Sequence, residues 1–268
     1  MKRVAIVGFG AIGESVAHQL LQHPEVVELE SICVRPAYLE ACRAAMPAQV
    51  RVTTDIEQML SPRTDVVIEA AGHEAVLLAG APALKQGCDV CVLSVGALAN
   101  EGVRGQLMEH ARTGGGQIMI PCGALAGFDG LLALRERGLT SVSYTSTKPP
   151  AAWQGTVVAQ RHNLDELAGP LVFFEGTARE AALQYPRNAN LAAAVAIAGL
   201  GFDATRVRLV ADPRAAHNTG RVVAEAGSTR LDLTLSGSGF EENPKTSEIT
   251  GMSVVAALDN AAAMIRFI

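Results

Sequence analysis

The sequence predicts an α/β protein: a doubly wound parallel sheet, then a second α+β domain, and a C-terminal helix that returns to the first domain. Three observations predict it. Short apolar runs alternate with helical segments through the first half of the chain. The first of these runs, Val4-Ala5-Ile6-Val7, leads directly into Gly8-Phe9-Gly10-Ala11-Ile12-Gly13. Beyond Pro121 the strands change character and several alternate polar with apolar residues, the pattern of an antiparallel sheet covered on one face.

The opening segment is a strand–turn–helix. Glycines at this spacing allow a tight turn, a close backbone approach to a pyrophosphate, and close packing of helix on strand. The helix N-terminus then directs its unpaired N–H groups at the anion. The motif therefore predicts a Rossmann-type dinucleotide site using Gly8, Gly10, Ala11, Ile12 and Gly13. A helix over 11–21 follows, then a strand over 27–34 and a helix around 38–45. Asp65-Val66-Val67-Ile68-Glu69 and Asp89-Val90-Cys91-Val92-Leu93-Ser94 are two more strands leading into helices, and 117–120 is a further one. In the second part, 141–147, 171–174, 207–211, 221–225 and 231–236 read as strands, with helices over 177–184 and 191–198. A last Ala-rich helix, about 246–264, packs back on the first domain. The expected boundaries are 1–121 with 246–268 for the dinucleotide-binding domain, and 122–245 for a substrate and oligomerisation domain.

Composition narrows the function classes. The chain has 268 residues, 49% hydrophobic, 18% charged and 4% aromatic, with a net charge of −5. A chain with no basic run and few aromatics is not expected to bind nucleic acid, and no apolar stretch reaches the roughly 20 residues of a membrane span. Met1-Lys2-Arg3 and the run after it resemble the start of a signal peptide, but Gly8, Gly10 and Glu14 interrupt it. It reads as the first strand of a cytoplasmic protein. Cys88-x-x-Cys91 lacks a second pair or a nearby His, so no metal is expected. The five thiols read as buried in a reducing compartment.

An NAD-selective site carries a carboxylate about 20 residues past the glycine loop. Here the region reads Ser31-Ile32-Cys33-Val34-Arg35-Pro36. Arg35 stands where a guanidinium meets a 2′-phosphate, so the expected cofactor is NADP or NAD, with NADP accepted at least as well.

Further segments resemble the L-aspartate dehydrogenase family. They are Glu69-Ala70-Ala71-Gly72-His73, Ser94-Val95-Gly96-Ala97-Leu98, Pro121-Cys122-Gly123-Ala124-Leu125-Ala126-Gly127, Lys148-Pro149-Pro150-Ala151-Ala152-Trp153, Tyr185-Pro186-Arg187-Asn188-Ala189-Asn190, Ala211-Asp212-Pro213 and Asn243-Pro244-Lys245-Thr246-Ser247. They run in family order over nearly the whole chain. The resemblance implies an NAD(P)-dependent enzyme that interconverts L-aspartate with oxaloacetate and ammonia through an imine. It also implies that Ala124 and Asn190 contact the cofactor near its nicotinamide, and Ala71 and Ser94 fall in family segments assigned to the cofactor side. A dicarboxylate needs donors at both ends, for which Lys148, Asn218, Asn243 and Lys245 are candidates. A homodimer is expected from small-residue helices such as 191–200.

The family pattern places a His two residues after the Asn that follows Asp-Pro. Here Asp212-Pro213-Arg214-Ala215-Ala216-His217-Asn218-Thr219 matches as far as the Asn, and the His slot is Gly220. The remaining acid–base candidates are Lys148 and His217. In a strand, positions 217 and 220 lie on opposite faces, so His217 serves only if 218–220 form a turn. In a pocket otherwise like the family's, Gly220→His should raise activity by roughly 10²–10⁴. Two alternatives stay open: a related dehydrogenase or imine reductase on another amino or oxo acid, and a dinucleotide-binding protein without turnover.

Overall fold

Val4, Ala5 and Ile6 are fully buried because the strand that carries them, β1 (Lys2–Val7), has parallel neighbours on both sides. It is followed by α1 (Ala11–Leu20), β2 (Val27–Cys33), α2 (Leu39–Ala45), β3 (Arg51–Thr53), α3 (Ile56–Met59), β4 (Val66–Glu69), α4 (His73–Lys85), β5 (Asp89–Val92), α5 (Glu101–Gly114) and β6 (Ile118–Met119). The sheet order is β3-β2-β1-β4-β5-β6, all parallel, with the order reversing between β1 and β4. Such a switch point is where open α/β sheets bind ligands, beyond the carboxyl ends of the strands. Strand β3 and helix α3, of three and four residues, are too short to show a period in the sequence.

This computed structural model describes residues 1–240 and 243–267, with backbone alone at 240 and 243–246. Its chain divides into two units, Met1–Pro121 with Gly251–Ile268, and Cys122–Thr250. The second unit contains α6 (Phe128–Arg137), β7 (Ser141–Lys148), α7 (Val157–Arg161), β8 (Leu171–Thr177), α8 (Ala178–Gln184), α9 (Asn190–Ala198), β9 (Arg206–Ala211), β10 (Asn218–Ala226), β11 (Thr229–Gly237), β12 (Gly239–Phe240) and β13 (Asn243–Ser247). Its main sheet has the order β11-β10-β7-β9-β8.

That sheet is mixed rather than antiparallel throughout, because β7 and β9 pair in parallel. The reason is the connection. The chain between them makes β8, α8 and α9, and a helical crossover returns the next strand in the same direction. The sheet's inner face is apolar: Val142, Tyr144, Val207, Leu209, Val222 and Ala224 are buried. Helices α6, α8 and α9 pack on the sheet.

The last helix, α10 (Ile249–Ala262), starts three residues later than the sequence suggests, because 243–247 pair with β12. Its Val254, Val255 and Leu258 join Val16, Leu20, Ile6 and Ile32 in the core of the first unit. Gly251 faces α1, where a Cβ would make ordinary contact with Val16 Cγ2 at 3.4 Å. Helix α9, expected to offer a dimer face, is instead buried along Ala192–Ala196 and at Ala198.

Candidate active site

In the first unit, the glycine turn is shaped by contact with the end of β4. Gly8 has φ +98, and a Cβ there would stand 2.7 Å from Ala70 O and 2.9 Å from Ala71 Cα. A Cβ at Gly13 would meet Gly8 O at 2.3 Å. Both positions are closed to any side chain. Gly10 is the opposite case, with nothing within 4 Å of its Cβ direction, and as N-cap of α1 it gives no side chain to the helix N–H groups. Ala11 and Ile12, half-buried, complete that first turn. A turn closed toward the sheet and open at the helix N-terminus fits a pyrophosphate.

Glu69, absent from the sequence-based site, ties the neighbouring loops together. It is 0% exposed. Its Oε1 accepts from Ala71 N and Gly72 N, both at 2.8 Å, and from Ser94 Oγ at 3.0 Å. Its Oε2 accepts from Ser94 N at 2.9 Å. One buried carboxylate thus sets the ends of β4 and β5, and the Ser94 hydroxyl is committed to it. The signal available in the sequence was an acidic residue closing an otherwise apolar strand. Arg35 lies just past β2, exposed, with its guanidinium 5.1 Å from the Tyr38 ring centroid.

Four cysteines are buried and Cys122 is exposed, so the expectation of five buried thiols fails at one. Burial, with the Glu69 charge adding to it, pushes the Cys91 thiol up to about 12. Among the described residues no cluster of His, Cys, Asp and Glu is arranged to hold a metal.

In the second unit, the segments of Ala124 and Asn190 come together. Gly123, with φ +62, passes the first turn of α9 so closely that a Cβ would lie 3.1 Å from Leu191 Cδ2. Ala124 and Asn190 are both half-buried.

The two acid–base candidates are separated by the strand register. Residues 218–220 form no turn. They are extended and paired with Gly237, Ser236 and Leu235 of β11, and Thr219 and Gly220 also pair with Thr147 and Ser146 of β7. The condition for His217 is therefore unmet. It is exposed, its Nδ1 is 3.4 Å from Ser238 Oγ, and its parity matches Thr219 and Arg221 on the outer face. Lys148 has the parity of Val142, Tyr144 and Ser146, the buried inner face. Gly220 faces the same way, since its Cβ would meet Tyr144 Oη at 3.3 Å and Leu125 Cδ1 at 3.5 Å.

Lys148 is half-buried as a residue, but its ammonium is desolvated. Burial lowers its pKa to about 8, and its Nζ lies 5.3 Å from the Trp153 ring centroid, a contact that favours the charged form. Trp153 is fixed by Nε1 donating to Val210 O at 3.0 Å and by edge packing on Phe173 at 4.7 Å. Burial raises the Tyr144 phenol to about 12, with a hydrogen bond to Ser146 offsetting part of the effect, so it remains a neutral donor. Asn218 begins β10 beside Lys148, since Thr219 pairs with Thr147. The side chains of Asn243 and Lys245 lie outside the described residues; their backbone belongs to β13.

Residues 8–121 match the family model described as homoserine dehydrogenase, NAD binding domain. Residues 129–261 match the model described as aspartate dehydrogenase, C-terminal. Over 265 residues, 98% of either chain, the sequence is 42% identical to an L-aspartate dehydrogenase of Ralstonia pickettii. It is 43% identical to one of Cupriavidus necator over the same length and coverage. The crystal structure of aspartate dehydrogenase from Thermotoga maritima shares the fold, with a TM-score of 0.77 at 24% identity, covering 100% of this chain and 99% of that one.

Proposed function

Because the chain belongs to the L-aspartate dehydrogenase family, we propose that it interconverts L-aspartate with oxaloacetate and ammonia through an imine. NAD(P), when bound on the glycine turn, supplies or accepts the hydride. The residues proposed to hold it are Gly8, Gly10, Ala11, Ile12 and Gly13 at the pyrophosphate, Ala71 and Ser94 on the loops set by Glu69, and Ala124 and Asn190 toward the nicotinamide.

The observation that carries the chemical half is Lys148, a buried ammonium on an aromatic wall with a pKa near the working range of an enzyme. In the reductive direction, ammonia adds to C2 of oxaloacetate. The Lys148 ammonium protonates the departing hydroxyl of the carbinolamine, water leaves, and the resulting iminium carbon is the hydride acceptor. In the oxidative direction, neutral Lys148 takes a proton from the water that attacks the iminium. Asn218, with Asn243 and Lys245, is proposed to bind substrate oxygens. His217 has no part in this scheme.

The test is oxidation of NADPH by the wild type with oxaloacetate plus ammonium. Turnover is expected with both substrates present and lost when ammonium is omitted. Turnover only with other oxo acids would replace the substrate assignment. Arg35 is proposed to meet the 2′-phosphate of NADP. Arg35→Ala should then lower kcat/KM for NADPH by roughly tenfold or more, with little change for NADH. A hundredfold preference of the wild type for NADH would end that reading.

No described helix is long and apolar enough to cross a membrane. A cytoplasmic homodimer completes the proposal. Four buried free thiols suit a reducing compartment. The sheet face opposite Tyr144 and Leu209 carries paired charges of both signs, Arg221 with Asp232 and Arg208 with Glu175, which suits a second copy of the same surface. Light scattering checks the mass.

A further inference from the structure

The guanidinium of Arg35 rests on an aromatic ring and is bridged to no carboxylate among the described residues. Its Cζ lies over the Tyr38 ring, 5.1 Å from the centroid. Other arginines of the first unit contrast with it. Arg3 pairs with Glu28 at 3.1 Å, Arg43 with Glu40 at 3.0 Å and Arg51 with Glu30 at 3.8 Å. Acidic residues in the adjoining segments are engaged elsewhere, Glu40 by Arg43 and Asp55 by the backbone N–H of Glu57 at 2.9 Å.

The backbone presets the contact. Pro36 restricts the residue before it to extended conformations, and Arg35 has φ −66 and ψ 150. Pro36 then opens a single 3₁₀ turn, Pro36–Tyr38, in which Tyr38 N donates to Arg35 O at 2.9 Å. The chain runs directly on into α2, whose Cys42 is fully buried, so the segment is anchored while the Tyr38 residue stays 48% exposed. This turn lies at the carboxyl edge of the parallel sheet, tied to the glycine turn: Gly8 N donates to Cys33 O at 2.8 Å. On the other side, Val34 N donates to Thr53 O at 2.9 Å.

A guanidinium carries its N–H donors in one plane, as a fork that matches two oxygens of a phosphate. An aromatic face attracts the cation but offers those donors no oxygen. The fork is thereby positioned and still open to an anion, whereas a carboxylate in place of the ring would occupy it. An exposed arginine without such support loses rotamer freedom when it binds, and that loss weakens affinity. We propose that Tyr38 determines cofactor specificity as a positioning residue, its ring holding Arg35 ready for the 2′-phosphate of NADP. This rests on the placing of that phosphate at Arg35 proposed above and adds the residue that orders it.

Fluorescence titration with NADPH and with NADH, which differ only in the 2′-phosphate, tests it by binding alone. The wild type is compared with Tyr38→Ala, Tyr38→Phe, Arg35→Ala and the double Ala variant. Tyr38→Ala should raise Kd for NADPH by roughly threefold to tenfold and Kd for NADH by less than about twofold. Tyr38→Phe keeps the ring and should bind both nucleotides as the wild type does. In the Arg35→Ala background, removing the Tyr38 ring should change nothing further, because the ring acts through the arginine. An equal loss for NADPH and NADH in Tyr38→Ala overturns the proposal, since the ring then serves the part common to both. A Tyr38→Phe variant as weak as Tyr38→Ala also overturns it, because the hydroxyl and not the ring would be responsible. If Arg35→Ala removes the discrimination and Tyr38→Ala leaves it intact, the arginine reading stands and this proposal alone falls. If Arg35→Ala discriminates as the wild type does, the arginine reading falls and the role of Tyr38 with it.

Discussion

Tyr144 fills the space that Gly220 leaves. Its hydroxyl lies 3.3 Å from where a Cβ on residue 220 would stand, with Cε2 at 3.4 Å and Leu125 Cδ1 at 3.5 Å. An imidazole at 220 has to displace a fully enclosed phenol. Gly220→His alone is therefore expected to lose stability, by about 1–3 kcal/mol as overpacked cores do, and to bring no gain in aspartate turnover. A urea titration beside the steady-state rate checks both. The large gain expected from the family pattern presumed an empty pocket, and a hundredfold gain would show that Tyr144 yields.

In the proposed scheme, Lys148 sets the pH dependence. With its pKa near 8, the neutral amine needed for aspartate oxidation accumulates above that value, so kcat for oxidation should rise through about pH 8 and level off. Reductive amination should decline over the same range. Lys148→Met should cost roughly 10²–10⁴ in kcat and remove the inflection. Linkage has a definite sign here. The folded pKa, about 8, is below the ordinary 10.5, so between these values the unfolded chain binds the extra proton. The lysine's burial penalty is complete below about 8 and is relieved as pH rises toward 10.5. The Met variant should lack that increment in stability.

At the scale of elements, the cofactor side depends on how loops are held at the ends of strands. Glu69 accepts four hydrogen bonds from the turns after β4 and β5. Removing it takes the acceptor from three backbone donors, Ser94 N in a buried residue, Gly72 N in a half-buried one and Ala71 N in an exposed one. Glu69→Ala should cost about 2–4 kcal/mol and weaken NADPH binding, while Glu69→Gln, which keeps one good acceptor, should cost less. Denaturation with guanidinium and a fluorescence titration with NADPH measure the two effects. Strand β10 teaches a second lesson. Its apolar alternation is evident from Arg221 onward, whereas Asn218-Thr219-Gly220 has the composition of a turn. Those three residues are extended because β11 and β7 hold them from both sides.

Over the whole molecule, the chain's last helix completes its first unit. Leu258, 6% exposed, lies in one apolar cluster with Val254, Val16 and Leu20 although some 240 positions separate the segments. Leu258→Ala should destabilise the protein by about 2–5 kcal/mol and lower the temperature at which NADPH binding is lost. An effect below about 0.5 kcal/mol would mean that α10 is dispensable to that core.

The strand–glycine turn–helix at the amino end was legible in the sequence because its determinants are local. Gly13 is dictated by a clash with Gly8 O in the same turn and Gly8 by its φ of +98, although Gly8 also meets Ala70 and Ala71 far along the chain, and the apolar periods of β1, β4 and α1 are properties of single segments. Belonging to the family was legible for a similar reason, through short motifs in a fixed order. The parallel pairing of β7 with β9, the hydrogen bonds of Glu69 and the placing of Lys148 and His217 on opposite faces of the sheet were decided only by the tertiary structure. Each depends on partners remote in sequence. Strand alternation turns a side chain to the opposite face with every residue, and only the strands alongside determine where that count begins.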